Sequence, residues 1–127
     1  MTFAFNPQRG LVIVRAEVFG PTGSAVLRLA LDTGATRTLI DSAALVAIGY
    51  DPAASTDHVQ VSTGSGVESS AIVEIKRIVA LGHDRQSFFV LSHKLPPTLS
   101  VDGVLGLDFM RGLSLTIDFR TGQVTLT

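Results

Sequence analysis

The sequence contains no cysteine, no tryptophan and a single tyrosine. Without cysteine there can be neither a disulfide frame nor a thiolate metal site, so a hydrophobic core must hold the fold. Such a chain is at ease in a reducing compartment. A cytoplasmic setting is therefore favoured, with a soluble domain cut from a membrane-anchored protein as the alternative. An excess of one charge is also missing. Ten basic and eleven acidic residues nearly cancel, and neither sign forms a long run. That excludes the electrostatic footprint of a nucleic-acid binder and a polybasic membrane patch. No stretch approaches the roughly 20 apolar residues of a membrane-spanning helix. Met1 to Arg9 lack the apolar centre of a signal peptide.

Several chemical signatures are absent as well. No G-x-S-x-G elbow marks a serine hydrolase. The glycines near position 64 are not followed by Lys-Ser or Lys-Thr, so they form no P-loop. His58, His83 and His93 are scattered without ligand spacing, and no metal site is expected.

What remains is 127 residues of which 46% are hydrophobic. This is enough for a real core and fits one domain over residues 1–127.

The pattern is mostly strand. Leu11 to Phe19 (LVIVRAEVF) and Ala25 to Leu31 (AVLRLAL) flank the turn Gly20-Pro21-Thr22-Gly23 and predict a hairpin. A short strand is expected at Thr38 to Ile40. A short helix follows through Ile48, capped by Asp41 or Ser42 and stopped by Gly49. Val59 and Val61 lead into Ser62, Thr63, Gly64, Ser65 and Gly66, and Val67 to Ala80 continues as a long strand. This predicts a hairpin with a glycine-rich tip. Ser87 to Leu91 reads as a further strand and Pro96-Pro97 as a loop. Val101 to Leu107 is apolar but broken by Gly103 and Gly106, and about one helical turn is expected at Asp108 to Leu113. Leu115 to Phe119 and Gln123 to Leu126 form a last hairpin. Asp118 should face outward beside its turn, and Asp102 and Asp108 should organise the loop around the glycines. Phe88-Phe89 reads as core or as the wall of a binding pocket.

The sharpest feature is Leu29-Ala30-Leu31-Asp32-Thr33-Gly34-Ala35-Thr36. An acidic residue ends an apolar strand, and Thr-Gly follows at once. A carboxylate in an apolar setting needs partners. Gly34 lets the backbone turn and aim an amide N–H at Asp32, and the Thr33 hydroxyl is available to lock the loop. Asp-Thr-Gly alone is also ordinary turn chemistry. Its weight rises because Val104-Leu105-Gly106 follows at a distance, with the glycine-tipped hairpin between.

In Leu31 to Thr36 (LDTGAT), Val61 to Val67 (VSTGSGV) and Val101 to Phe109 (VDGVLGLDF), the sequence resembles the retropepsin-like aspartic proteases. The resemblance implies an all-β fold, a closed barrel with one or two short helices and a flap hairpin. It implies Asp32 as the catalytic residue, supported by Thr33, Gly34 and Ala35. Ser62, Thr63, Gly64, Ser65 and Gly66 would form the flap. Val104 and Leu105, together with Val12 and Ile40, are candidates for the wall of the substrate pocket, with the core as the alternative place for any of them. One Asp-Thr-Gly per chain implies a homodimer whose partners are a second copy and a peptide or protein substrate, with no metal and no other cofactor. Two carboxylates brought close together share a proton, as the aspartic proteases illustrate. The ionised one takes a proton from water while the protonated one hydrogen-bonds the scissile carbonyl.

Two departures stand out. Retroviral relatives carry an acidic residue just after the Asp-Thr-Gly-Ala segment and an arginine just after the downstream glycine. Here those places hold Thr36 or Arg37 and Leu107 or Asp108, so Arg37 and Asp108 are candidates for the same ion pair with its signs exchanged. The flap also lacks the aromatic residue of pepsin-like flaps. A silent peptide-binding or dimerisation module on the same fold is the alternative reading.

Overall fold

The computed structural model describes residues 1–64 and 66–127. Ten strands and two short helices follow one another: β1 (Thr2–Ala4), β2 (Ile13–Gly20), β3 (Gly23–Leu31), β4 (Leu39–Asp41), α1 (Ser42–Ala47), β5 (His58–Thr63), β6 (Gly66–Ala80), β7 (His83–His93), β8 (Gly103–Leu105), α2 (Leu107–Met110), β9 (Leu115–Asp118) and β10 (Gln123–Leu126). A 3-10 turn, Pro52–Ala54, lies between α1 and β5.

The β2–β3 hairpin forms as the Gly-Pro-Thr-Gly turn predicts, with Gly20 opposite Gly23. β3 then runs parallel to β8, and β8 lies antiparallel to β4. β4 runs parallel to β7, and β7 pairs antiparallel with β6. β6 returns to β2, which closes six strands into the expected barrel. The alternating apolar residues of these strands meet inside it: Val14, Ala16, Val18, Leu27, Leu29, Ile40, Ile75, Ile78, Val90 and Leu105 are all buried. Phe109 of α2 packs against them and meets the Phe88 ring edge-on at 6.0 Å. A separate three-stranded sheet, ordered β1-β10-β9, contributes Val124 and Leu126 to the same core.

Several expectations shift at their edges. β7 is eleven residues rather than five, because Leu81 and Gly82 turn the chain tightly and the polar segment from His83 onward pairs with β6. β1 has no counterpart in the sequence reading. Asp41 precedes α1 but gives it no side-chain cap. Its Oδ1 instead accepts from the Leu95 amide at 3.0 Å, and the Ser42 hydroxyl lies 2.8 Å from that of Ser92. Both cap candidates are thus used in tertiary contacts. The last helical turn begins at Leu107 and ends at Met110, earlier than expected. Phe88 is part of the core margin, whereas Phe89 on the other face is half exposed.

Beyond Ala71, β6 leaves β7 and pairs with β5 alone. Residues 58–63 and 66–70 thus project from the barrel as a two-stranded arm. At its base, Ser70 Oγ lies 3.1 Å from His93 Nδ1, and His93 Nε2 lies 3.0 Å from a Glu68 carboxylate oxygen.

Candidate active site

Asp32 directly follows β3. Its amide N–H donates to the Leu105 carbonyl at 3.0 Å, so the strand carrying it is held against β8 up to its last residue. The chain then turns, with the Ala35 amide donating to the Asp32 carbonyl at 3.2 Å. Gly34 N–H donates to Asp32 Oδ1 at 2.8 Å, the contact its sequence position predicts. Asp32 Oδ2 has no hydrogen-bond partner among the described residues, and the side chain is exposed.

The lock on this loop is not the expected one. Thr33 is exposed, and its hydroxyl makes no hydrogen bond among the described residues. Thr38 takes that part. It is fully buried, donates its amide to both Asp108 oxygens at 3.0 and 2.9 Å, and donates its hydroxyl to Oδ1 at 2.7 Å. The same hydroxyl accepts from the Gly106 amide at 3.1 Å. Asp108 Oδ1 also accepts from the Phe109 amide at 2.9 Å, which anchors the carboxylate on the first turn of α2. Charge-assisted bonds to a carboxylate are stronger than neutral ones, and here they cross-brace the two sides of the loop.

Asp108 is therefore engaged by Thr38, and no ion pair with Arg37 forms among the described residues. Asp102 has a parallel role nearby, its Oδ2 accepting from the Arg28 amide at 2.9 Å. Asp118 caps its own turn by accepting from the Arg120 and Thr121 amides.

The glycine spacing of Val101 to Phe109 has a steric cause. A Cβ on Gly106 would sit 2.7 to 2.9 Å from the backbone of Arg37 and Ala35, closer than carbon tolerates. One on Gly103 would strike the Leu39 carbonyl. The missing side chains let β8 and the turn after it lie flush against the loop and β4.

A groove of about 490 Å³ opens beside Asp32. Gly34, Ala35, Thr36, Arg37, Leu39, Leu91 and Val104 line it on the barrel side, and Val59, Gln60, Val61 and Ser62 on the arm side. Val104, an expected pocket residue, lines this groove. Leu105 does not. It is fully buried in the core, as strand alternation requires of its neighbour. Ile40 is likewise core, and Val12 packs at the core margin. Of the expected tip residues, Ser62 lines the groove, Gly64 is exposed and Gly66 takes φ +124. Ser65 and the Thr63 side chain lie outside the described residues. A larger cleft of about 600 Å³, lined by Phe3, Arg9, Arg15 and Arg28 among others, shares no residue with this groove.

No group of three or more His, Asp or Glu side chains among the described residues could hold a metal ion. No helix of the described residues is long and apolar enough to cross a membrane.

A family model described as aspartyl protease matches residues 14–109, from the second strand to the end of the Thr38–Asp108 brace. The chain belongs to the aspartyl protease family. Its fold is retropepsin-like. It is similar to the crystal structure of a retropepsin-like aspartic protease from Rickettsia conorii, with a TM-score of 0.73 at 18% sequence identity. That likeness covers 99% of this chain and 88% of the other chain. A search among curated proteins finds no match by sequence. Sequence reasoning reached the Asp-Thr-Gly loop but missed Thr38. The signal for it was the pair of a threonine after the loop and an aspartate after the downstream glycine.

Proposed function

We propose that the chain is an aspartic endopeptidase whose catalytic pair is Asp32 from each of two copies, acting on extended peptide segments. One observation carries the reading. Asp32 is the sole carboxylate among the described residues that line the groove, and the chemistry needs two.

The geometry of one chain supports the rest. Gly34 occupies one Asp32 oxygen and leaves the other free toward solvent. That free oxygen is available to a water, and the exposed Asp32 and Thr33 are open to a second copy. In the pair, the ionised carboxylate accepts a proton from water, and the protonated one donates to the scissile carbonyl as charge develops on it. The arm, with Ser62 and Gly64 near its tip, serves as the flap that closes over the substrate backbone and excludes water.

Asp32→Asn keeps the shape of the side chain and removes the base. Hydrolysis of a peptide library should be lost, with circular dichroism and melting temperature retained. Pairing two carboxylates takes up a proton, so association should weaken as pH rises. Sedimentation should show the wild-type dimer loosening toward alkaline pH, with Asp32→Asn far less sensitive. Turnover by Asp32→Asn, or turnover by a chain that sediments as a monomer in mild acid, would remove the two-copy site.

A further inference from the structure

We infer that Arg37 is a specificity-determining residue, which makes the groove select peptides carrying an acidic side chain near the scissile bond. The inference rests on the proposed protease reading and names its substrate class.

Arg37 is the only cation lining the groove among its described residues, and no ion pair or hydrogen bond engages its guanidinium there. Thr38 and Ile40 are fully buried, whereas Arg37, just before β4, and Leu39, its first residue, line the groove. The partner that the sequence offered is already taken, because Asp108 is spent on Thr38 and Phe109. Arg37 is also half-buried, with no counter-ion among the described residues.

The surroundings define what would fit. Leu39, Leu91 and Val104 offer an apolar wall on the same side of the groove. A glutamate side chain can lay its methylenes on such a wall and present its carboxylate to the guanidinium, which binds carboxylates through two parallel hydrogen bonds. A lysine would meet like charge, and a glutamine would forgo the charge assistance. The Asp32 carboxylate in the same groove does not cancel this, since it lies beyond 4.0 Å of any Arg37 nitrogen. The negative side chain of the substrate would therefore approach Arg37 and not the catalytic carboxylate.

The test compares peptides that differ only in Glu, Gln or Lys, scanned through the positions flanking the cleaved bond. At one position, wild-type kcat/KM should favour Glu over Gln by about tenfold, as expected for a charge-assisted pair. The preference should shrink with added salt. Arg37→Gln and Arg37→Ala should bring that ratio to near one, and Arg37→Glu should turn it toward Lys. The same peptides are also titrated onto Asp32→Asn and Asp32→Asn/Arg37→Gln by fluorescence anisotropy, which needs no turnover. Cleavage without an acidic preference overturns the role of Arg37 and spares the protease reading. Tighter binding of the Glu peptide that depends on Arg37, with no hydrolysis by wild type, does the reverse. A change in dimer dissociation on replacing Arg37, with the Glu-to-Gln ratio intact, would assign the guanidinium to the subunit contact and overturn the inference.

Discussion

Two parts of the molecule face each other across the groove and are built on opposite plans. The Asp32 loop is held from several directions: by the Leu105 carbonyl, by the Thr38–Asp108–Gly106 network and by backbone packed where Gly106 has no side chain. The arm of β5 and outer β6 has its own ladder and, at its base, the Ser70–His93–Glu68 contacts. Val67 near its end is two-thirds exposed. The difference shows where order is concentrated. A carboxylate doing chemistry must stay within fractions of an ångström of its working position. A lid must open and close, and such elements come from the less stable part of a structure.

The sharpest way to break the comparison is Asp108→Ala. It strands the buried amide and hydroxyl of Thr38, and such groups cost roughly 1–3 kcal/mol each when left without a partner. We expect a loss of about 3 kcal/mol in urea unfolding, equivalent to about 10 °C in melting temperature for a chain of this size. A shift under about 2 °C would mean that the network does not hold the loop.

Glu68→Gln probes the other side. The pair it disrupts is partly exposed, and such pairs contribute about 1 kcal/mol or less. Global stability should move by no more than that, while amides of residues 58–62 and 66–70 exchange several-fold faster. Uniform acceleration throughout the barrel would show that the arm is no separate unit of stability.

The smallest effect belongs to a contact remote from both regions. Arg77 and Asp84 pair across β6 and β7 at 2.7 Å on the surface. The hydrogen bond from Arg77 holds the Asp84 carboxyl below its ordinary value of 3.8. A lowered carboxylate adds stability above the ordinary value and loses it as pH falls through the lowered one. Removing it with Asp84→Asn should slightly flatten the stability curve below about pH 4 and leave the neutral-pH activity of the groove alone. An altered peptide turnover at neutral pH would show that the far hairpin is coupled to the site.

How far the sequence could be read depended on whether a residue's role was local. The β2–β3 hairpin and α1 were legible because turn residues and apolar alternation act over a few positions. Asp32 and Gly34 were legible for the same reason, their contact spanning two residues. The first part of β7 was hidden because its turn places Leu81 at φ +52, where turn rules look for glycine or asparagine. Leu81 is nearly fully buried, so core packing offsets that backbone cost. Thr38 was passed over because its partner lies 70 residues away. Leu105 was misassigned to the pocket because the motif gives its neighbours but not its strand phase.

The parallel pairing of β3 with β8 has a consequence for the order in which the chain is made. Leu31 pairs with Leu105, and Thr38 finds its carboxylate only at Asp108. During synthesis, the ribosome releases the Asp32 segment long before either partner exists. The β2–β3 hairpin can form early from local contacts, but the long loop between β3 and β8 must close before the carboxylate loop acquires its braces. A nascent chain that has not yet reached β8 therefore carries the Asp-Thr-Gly segment without the geometry that aims it. A carboxylate loop assembled in this order gains its braced geometry only after Asp108 has been made.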